Sequence, residues 1–254
     1  MAVMARVQSR MAAVAAGAIL FAGTAGAAEI KVIGSPGFRE AYNALLPQFE
    51  KASGNHVTTI WDGVNNVAKR VAGGEMADVV ILPVAQIDEL MKQGKLAPGG
   101  RADVAKSGIG VAVKAGAPKP DLRSGETLKD ALLKAKSIAY STGPSGVHMA
   151  VLLKQWGIAD AVKGRIVIAP SDTPVGEILA RGGAEIGFQQ VSELVHIKGI
   201  DYLGPLPADV QEVTVFAAAV HKSAAVPDSA KALVKFLSAP AAAPIIKKTG
   251  MEPG

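Results

Sequence analysis

The most constraining feature of the sequence is a repeated order of strand, short polar loop and helix. Residues 77–83 form a largely apolar run, which is typical of a parallel strand buried on both faces. Glu29–Gly34 and His56–Trp61 also have strand character, and each precedes a loop of small residues and a segment with helical spacing. Because parallel strands require crossover connections, this order predicts an α/β fold.

The second half of the chain repeats this plan. Its predicted strands are residues 137–140, 165–169 and 184–190, and its predicted helices are residues 147–156 and 174–180. The repeat predicts two lobes of similar design.

Two long extended segments, residues 108–114 and 211–221, indicate where the chain passes between the lobes. With both as crossings, residues 28–108 plus 213–254 form the first lobe and residues 109–212 form the second. The prediction is therefore an α/β protein with two lobes, two crossover strands and a ligand cleft that can close by a hinge motion.

The N-terminal residues have the order of a secretory signal peptide. Arg6 and Arg10 precede an apolar stretch at residues 11–21, and small residues follow as far as Ala27. The sequence therefore predicts a signal peptide at residues 1–27 and a mature protein in the periplasm.

Composition and motifs exclude several classes of function. The chain has no cysteine, which excludes disulfides, thiolate catalysis and cysteine-bound zinc. The formal net charge of +5 includes the two arginines of the predicted signal peptide, and the remaining charge is too small and scattered to indicate nucleic acid binding. The sequence contains no Walker loop, Gly-x-Ser-x-Gly elbow or His-Glu-x-x-His pair. We therefore predict a protein that is not an enzyme and that holds no cofactor or metal.

Loops that connect a predicted strand to a helix are the candidate binding elements: residues 35–37, 62–66, 141–146 and 171–173. In an open parallel sheet such loops gather at the carboxyl ends of the strands, where ligands bind. Backbone N–H groups at the helix starts, together with hydroxyl and amide side chains, predict a neutral site for a small anion. Helix capping alone explains any single loop, so the prediction depends on all of them together.

Charged and aromatic residues beside these loops have two interpretations each. Arg39 either binds a ligand carboxylate or lies on the solvated surface. Phe38 and Trp61 either line the cleft or belong to the core, and His148 either contacts ligand or supports the start of its helix.

Several motifs of the mature chain carry a family resemblance: residues 46–54, 68–74, 77–81, 145–147 and 185–190. They resemble the periplasmic solute-binding proteins of ABC importers, specifically the molybdate-binding family. The resemblance implies the type II periplasmic binding-protein fold, a small anionic ligand, a permease in the inner membrane as partner, and a monomer.

In that family a tetrahedral oxyanion is held by serine hydroxyls, backbone N–H groups and a tyrosine, without positive charge. The resemblance places Gly37 at the first serine position, with Ser35 close by. It places Asn65 or Asn66 at the second serine position.

The other family positions fall in the second half of the chain. Ser145 and Gly146 match the third loop, Thr173 approximates the fourth, and Gln190 stands at the tyrosine position. The ligand therefore stays open between molybdate or tungstate, which the resemblance implies, and a small organic carboxylate, which Arg39 would favour. A periplasmic sensor or enzyme-like domain is the alternative from another class. The predicted ligand-binding residues are Ser35, Gly37, Phe38, Arg39, Gly63, Asn65, Asn66, Ser141, Ser145, Gly146, Thr173 and Gln190.

Overall fold

The computed structural model describes residues 27–254, so the predicted signal peptide, apart from Ala27, lies outside the described residues. The strands are β1 (Glu29–Gly34), β2 (His56–Trp61), β3 (Val79–Pro83), β4 (Leu96–Lys114), β5 (Ile138–Tyr140), β6 (Ile166–Ile168), β7 (Ile186–Gln190), β8 (Ile200–Pro205), β9 (Val213–His221) and β10 (Glu252–Pro253). The α-helices are α1 (Arg39–Ser53), α2 (Val64–Ala72), α3 (Val84–Lys92), α4 (Gly125–Lys134), α5 (Pro144–Gln155), α6 (Ala159–Val162), α7 (Val175–Ala180), α8 (Val191–Leu194), α9 (Pro227–Leu237) and α10 (Ala243–Lys248). Short 3₁₀ turns cover Pro36–Phe38, Lys163–Arg165 and Pro240–Ala242.

The sheet combines two parallel units. Its strand order is β2-β1-β3-β9-β4-β7-β5-β6, and β8 and β10 also pair with β4. At one end β1 is parallel to β2 and β3, and at the other β5 is parallel to β6 and β7. β9 is antiparallel to β3, and β4 is antiparallel to β7. This arrangement confirms the predicted α/β fold of two lobes.

β4 is the strand that links the two units. From Leu96 to Gly108 it pairs with β9, and from Ile109 onward it pairs with β7 and β8. The chain returns through the segment between β8 and β9. The lobe boundaries, residues 28–108 plus 213–254 and residues 109–212, stay a prediction.

One side chain ties the two crossing segments together. The Oε1 atom of Gln211 accepts a hydrogen bond from the backbone N–H of Ile109 at 2.8 Å. The Nε2 atom of Gln211 donates to the carbonyl of Ile109 at 3.0 Å. One amide thus pairs with both backbone groups of Ile109 where β4 passes between the lobes, and the Ile109 carbonyl also accepts from the Leu206 N–H at 2.8 Å.

The first lobe is covered by helices on both faces of its strands. Every residue of β3 is buried. Val79 and Ile81 pack in the cluster formed with α1 and α9, whereas Val80 and Leu82 pack in the cluster formed with α2 and α3. Burial on both faces explains why this strand is a continuous apolar run.

Two predicted helix starts differ from the structure. The helix predicted from residue 147 already begins at Pro144, because proline at the first helical position gives up only an N–H that would have no partner inside the helix. The helix predicted from Pro174 begins at Val175, and Pro174 is its N-cap residue. Helix α4 and strand β8 had no counterpart in the prediction, although Ser124 caps α4 in a capping box that the sequence displays.

No single helix among the described residues is long and apolar enough to cross a membrane. The two consecutive helical segments Pro227–Leu237 and Pro240–Lys248 are long and apolar enough only when they are taken together, and a bend of 53° separates them. Its apolar residues include Leu233, Leu237 and Ile246, which are buried in the core.

Candidate functional site

A cavity lies at the carboxyl ends of the strands, between the two halves of the sheet. It contains about 630 Å³ of space that protein atoms do not fill, part of which is open to solvent. Its lining comes from the loops after β1, β2, β5 and β6, from the end of β7 with α8, and from β9. The lining residues are Pro36, Gly37, Arg39, Gly63, Val64, Ser141, Thr142, Gly143, Pro144, Ser145, Pro170, Ser171, Asp172, Thr173, Pro174, Gln189, Gln190, Glu193 and Phe216.

The cavity brings together a little over half of the predicted binding residues. Those that line it are Gly37, Arg39, Gly63, Ser141, Ser145, Thr173 and Gln190. Those outside its lining are Ser35, Phe38, Asn65, Asn66 and Gly146.

Ser35 and Phe38 are core residues. Both side chains are fully buried, and Phe38 packs in the main hydrophobic cluster of the first lobe. The core interpretation of Phe38 is therefore the one that its position supports. The hydroxyl of Ser35 has no hydrogen-bond partner among the described residues.

Asn65 and Asn66 are exposed on the first turn of α2 and are not in the lining of this cavity, although Asn65 lines a neighbouring cavity. The Nδ2 atom of Asn66 donates to Asp62 Oδ1 at 2.9 Å, and the backbone N–H of Gly63 donates to the same oxygen at 2.7 Å. The Asn66 amide, with the Gly63 N–H and Arg70, holds the pKa of Asp62 below its usual value. These groups form a surface network that fixes the start of α2.

Gly146 has a packing role. A Cβ atom at this position would collide with the carbonyl of Ser141. Only glycine lets the first turn of α5 approach the preceding loop this closely. The same loop is tightened by the backbone N–H of Gly143, which donates to Ser141 Oγ at 3.2 Å.

His148 lies outside the cavity and holds the return crossing. Its Nε2 atom is 2.8 Å from the carbonyl of Val210, and its Nδ1 atom pairs with Glu212. Of its two interpretations, a supporting role fits this geometry.

Gln190 lines the cavity, but its amide group is hydrogen-bonded to the strands that link the two lobes. It is almost fully buried. With the amide nitrogen turned toward the hinge, it donates to the carbonyls of Ser107 at 3.0 Å and Gly108 at 3.2 Å, while its oxygen accepts from the hydroxyl of Thr214 at 2.9 Å. This residue therefore joins β7, β4 and β9 where the lobes meet.

Arg39 is the cation that lines the cavity. Its guanidinium carbon lies 5.5 Å from the centre of the Trp61 ring, a cation–π contact that fixes the group. Trp61 is itself held edge-on against Tyr42, with ring centroids 5.2 Å apart. The Nε atom of Arg39 is buried and has no hydrogen-bond partner among the described residues. A carboxylate is the usual partner of such a donor.

Glu193, on α8, is a cavity residue that the sequence analysis missed. Its Oε1 atom accepts from Gln189 Nε2 at 2.8 Å. Burial raises the pKa of Glu193 to about 7, against the opposing effects of the Arg39 charge and the Gln189 hydrogen bond. The signal in the sequence was its place three residues beyond the end of a buried strand, where functional groups of a parallel sheet gather.

The two lobes touch across the cavity. The hydroxyl of Ser192 on α8 donates to the carbonyl of Gly37 at 2.7 Å. A Cβ atom on Gly63 would lie 2.9 Å from the Cβ atom of Ser171. Gly63 follows β2 and Ser171 follows β6, which are the opposite ends of the strand order. The structure is therefore a closed arrangement of the two lobes.

The lining is chemically uneven. Hydroxyls come from the second half of the chain, on Ser141, Thr142, Ser145, Ser171 and Thr173, whereas the first half supplies Arg39 and backbone at Gly37 and Gly63. Within residues 27–254 there is no group of three or more His, Cys, Asp or Glu side chains that could hold a metal ion. The arrangement suits an anion that takes a charge-assisted bond on one side and hydroxyl donors on the other.

The chain belongs to the bacterial extracellular solute-binding protein family, whose sequence model matches residues 30–252. It is 33% identical to the aconitate isomerase of a Pseudomonas species, over 96% of this chain and 97% of that protein. It is 30% identical to the molybdate-binding protein ModA of Azotobacter vinelandii, over 93% of this chain and 95% of that one. The solved structure of the Azotobacter vinelandii periplasmic molybdate-binding protein matches with a TM-score of 0.75 at 25% identity, covering 89% of this chain and 99% of that one. The resemblance to molybdate-binding proteins and the type II fold are thereby confirmed.

Proposed function

We propose that this protein captures a small organic anion with carboxylate groups in the cleft between its lobes. The observation that carries the proposal is Arg39, whose guanidinium lines the cavity with an unpartnered, buried Nε donor. Two parallel N–H donors of arginine match the two oxygens of a carboxylate. In this role Arg39 holds one carboxylate and the hydroxyls of Ser141 and Ser145 hold the rest of the anion.

The same geometry argues against a metal oxyanion as the preferred ligand. The resemblance placed amide side chains at two of the oxyanion-binding positions. The Asn66 amide is hydrogen-bonded to Asp62, and the Gln190 amide to Ser107, Gly108 and Thr214, so both are already paired within the protein. A site that holds a tetrahedral oxyanion by neutral donors also needs no positive charge, whereas this cavity has Arg39 in its lining. Molybdate is therefore the alternative ligand in this proposal, supported by the similarity to ModA.

In its transport role the protein is a periplasmic receptor that delivers the anion to a permease in the inner membrane. Family membership supports this role. The N-terminal order of Arg6, Arg10 and the small residues up to Ala27 supports export with removal of residues 1–27. We expect the receptor to act as a monomer.

A second candidate function is isomerisation of an unsaturated tricarboxylate. The similarity to an aconitate isomerase extends over almost the whole of both chains. In addition, the carboxyl group of Glu193 lines the cavity beside the proposed carboxylate site. A chain that isomerises its ligand still has to bind it, so both candidates share the first step.

Thermal unfolding with a panel of anions tests the shared step. The panel contains molybdate, sulfate, and cis- and trans-aconitate. A true ligand at 100 times its dissociation constant adds about 2.7 kcal/mol to the free energy of unfolding. We expect this effect from a carboxylate and not from molybdate. Stabilisation by molybdate alone would overturn the carboxylate proposal.

An arginine variant tests the site. Arg39→Gln removes a charged hydrogen bond worth about 1.5–3 kcal/mol, which corresponds to a loss of about 10- to 150-fold in affinity for the carboxylate. Arg181→Gln is the matched control, because Arg181 is exposed on the surface at the end of α7 and makes only a loose contact of 3.9 Å with Glu177. Calorimetric titration of both variants gives the comparison. Equal affinities for the two variants would show that Arg39 does not bind the ligand.

A further inference from the structure

Glu193 is positioned by a hydrogen bond from a buried amide. Its Oε1 atom receives the Gln189 Nε2 hydrogen bond at 2.8 Å, and the Oε1 atom of Gln189 accepts from the backbone N–H of Val175 at 2.8 Å. Gln189 is buried, so its amide is fixed between α7 and α8. The described residues give the second oxygen of Glu193, Oε2, no hydrogen-bond partner. One oxygen of Glu193 is thus held by Gln189, and the residue lines the cavity.

The charged groups of the cavity differ in their surroundings. Arg39, Asp172 and Glu193 are the charged residues in its lining. Asp172 is exposed on the loop after β6, and its Oδ1 atom accepts from the hydroxyl of Thr173 at 3.1 Å. Glu193 is partly buried, its pKa lies at about 7, and the group of opposite charge that faces it is Arg39. Near neutral pH, Glu193 therefore exists in both its ionised and its protonated form.

We propose that Glu193 is a catalytic acid–base residue that moves a proton between two carbons of an unsaturated polycarboxylate bound in the cleft. This inference rests on the proposed carboxylate ligand. It assigns the chemistry to one side chain and its positioning to Gln189, which makes the cleft a site of isomerisation as well as of capture.

The reaction balances without any further reactant. The Glu193 carboxylate takes a proton from the CH₂ carbon next to the C=C bond. The electron pair of the broken C–H bond forms a new C=C bond to the central carbon, and the former double bond shifts its electrons toward the conjugated carboxylate. The protonated Glu193 then returns the proton to the far alkene carbon. Because the new double bond forms at a carbon that was tetrahedral, its geometry is set anew, and cis and trans isomers interconvert.

Arg39 supports this step electrostatically. Negative charge moves onto the conjugated carboxylate as the C–H bond breaks, and a guanidinium at that carboxylate stabilises the charge. The lobe contact between Ser192 and Gly37 keeps the cleft closed, which limits access of water to the intermediate. Arg39 thus binds the carboxylate and stabilises the developing charge, whereas Glu193 transfers the proton.

The test follows the interconversion of cis- and trans-aconitate by proton NMR, with affinity measured separately by calorimetry. We expect the wild-type protein to interconvert the isomers, with kcat rising with pH through about 7 as Glu193 ionises. Glu193→Gln keeps a similar shape and removes the base, so we expect kcat to fall about 10²- to 10⁴-fold while affinity changes little. Gln189→Leu removes the positioning hydrogen bond, and we expect it to lower kcat and to shift the pH profile.

Glu177→Gln, on the exposed face of α7, is the matched control and is expected to keep wild-type kcat. Far-ultraviolet circular dichroism and thermal unfolding establish that each variant is folded. Binding without interconversion by the wild-type protein would overturn the catalytic role and leave the receptor function standing. Interconversion that survives Glu193→Gln but is lost in Asp172→Asn would also overturn it, by assigning the base to Asp172. If no carboxylate binds at all, both the proposed ligand and this inference are wrong.

Discussion

Gly63 is a residue at which one added methyl group should hinder lobe closure. In the closed structure a Cβ atom on Gly63 would lie 2.9 Å from the Cβ atom of Ser171. Carbon atoms in contact prefer a separation of about 3.5–4.0 Å, so Gly63→Ala pushes the loops apart by about half an ångström or more. Overpacking of this kind costs about 1–3 kcal/mol, and here the cost falls on the closed state alone.

The closed state and the stability of the fold should therefore respond differently to this substitution. The φ angle of Gly63 is −56°, which alanine adopts without strain. Gly→Ala substitutions at such positions stabilise a protein by about 0.4–1 kcal/mol through the unfolded state. Gly63 is also the N-cap residue of α2, where alanine is a poorer cap than glycine, so the two effects on stability oppose each other. We expect Gly63→Ala to unfold at a similar urea concentration, while its affinity for the carboxylate ligand falls about 5- to 150-fold.

The compensating variant makes this prediction specific. Ser171→Gly removes the atom that the new methyl group meets, so the double variant Gly63→Ala with Ser171→Gly should recover most of the lost affinity. Calorimetric titration and urea unfolding of the single and double variants form a double-mutant cycle. Wild-type affinity in Gly63→Ala, or a loss that Ser171→Gly does not relieve, would refute closure through this contact.

Three further predictions concern the hinge, the lobe contact and the buried carboxyl group. Gln211→Leu leaves the backbone N–H of the buried residue Ile109 without its partner, whereas the Ile109 carbonyl keeps the hydrogen bond from the Leu206 N–H. Urea unfolding should show a loss of about 1–3 kcal/mol, against no loss if solvent satisfies the N–H group. Ser192→Ala removes the hydrogen bond to the Gly37 carbonyl, which is worth about 0.5–1.5 kcal/mol in the closed state. Stopped-flow measurements should therefore show that the ligand dissociates about 2- to 10-fold faster. An unchanged rate would mean that this hydrogen bond does not hold the lobes together. Burial raises the pKa of Glu193 from 4.5 to about 7, so its contribution to the free energy of unfolding is complete below pH 4.5 and is lost as the pH rises to about 7. Urea unfolding across this pH range should show that the stability of Glu193→Gln falls less with pH than that of the wild type. The same fall in both proteins would contradict the pKa shift.

The fold was predictable because it depends on local patterns. The apolar run of β3 reports burial on both faces, and the alternation of strands and helices reports the parallel sheet. The crossing at Gly108 was visible as a long extended segment. Strand β8 was missed because its residues are only partly buried and show neither alternation nor a continuous apolar run.

The lining of the cavity could be predicted only for residues whose place in the chain, directly after a buried strand, is enough to bring them to it. Arg39 and Ser145 follow from their place after buried strands. The orientation of the Asn66 side chain depends on Asp62, which accepts a hydrogen bond from its amide at the surface. The orientation of the Gln190 amide depends on its hydrogen bonds to β4 and β9, beside its own strand β7. Neither contact can be read from the sequence. Glu193 was missed because β7 runs directly into α8 without the small-residue loop that marks the other sites.

A crystal structure with trans-aconitate bound tests the central claim most directly. We predict that the ligand lies between the lobes, with a carboxylate oxygen about 3 Å from a guanidinium nitrogen of Arg39 and with hydroxyls of Ser141 or Ser145 on its other side. A ligand bound away from this cleft, or one in the cleft whose carboxylates all avoid Arg39, would contradict the proposal.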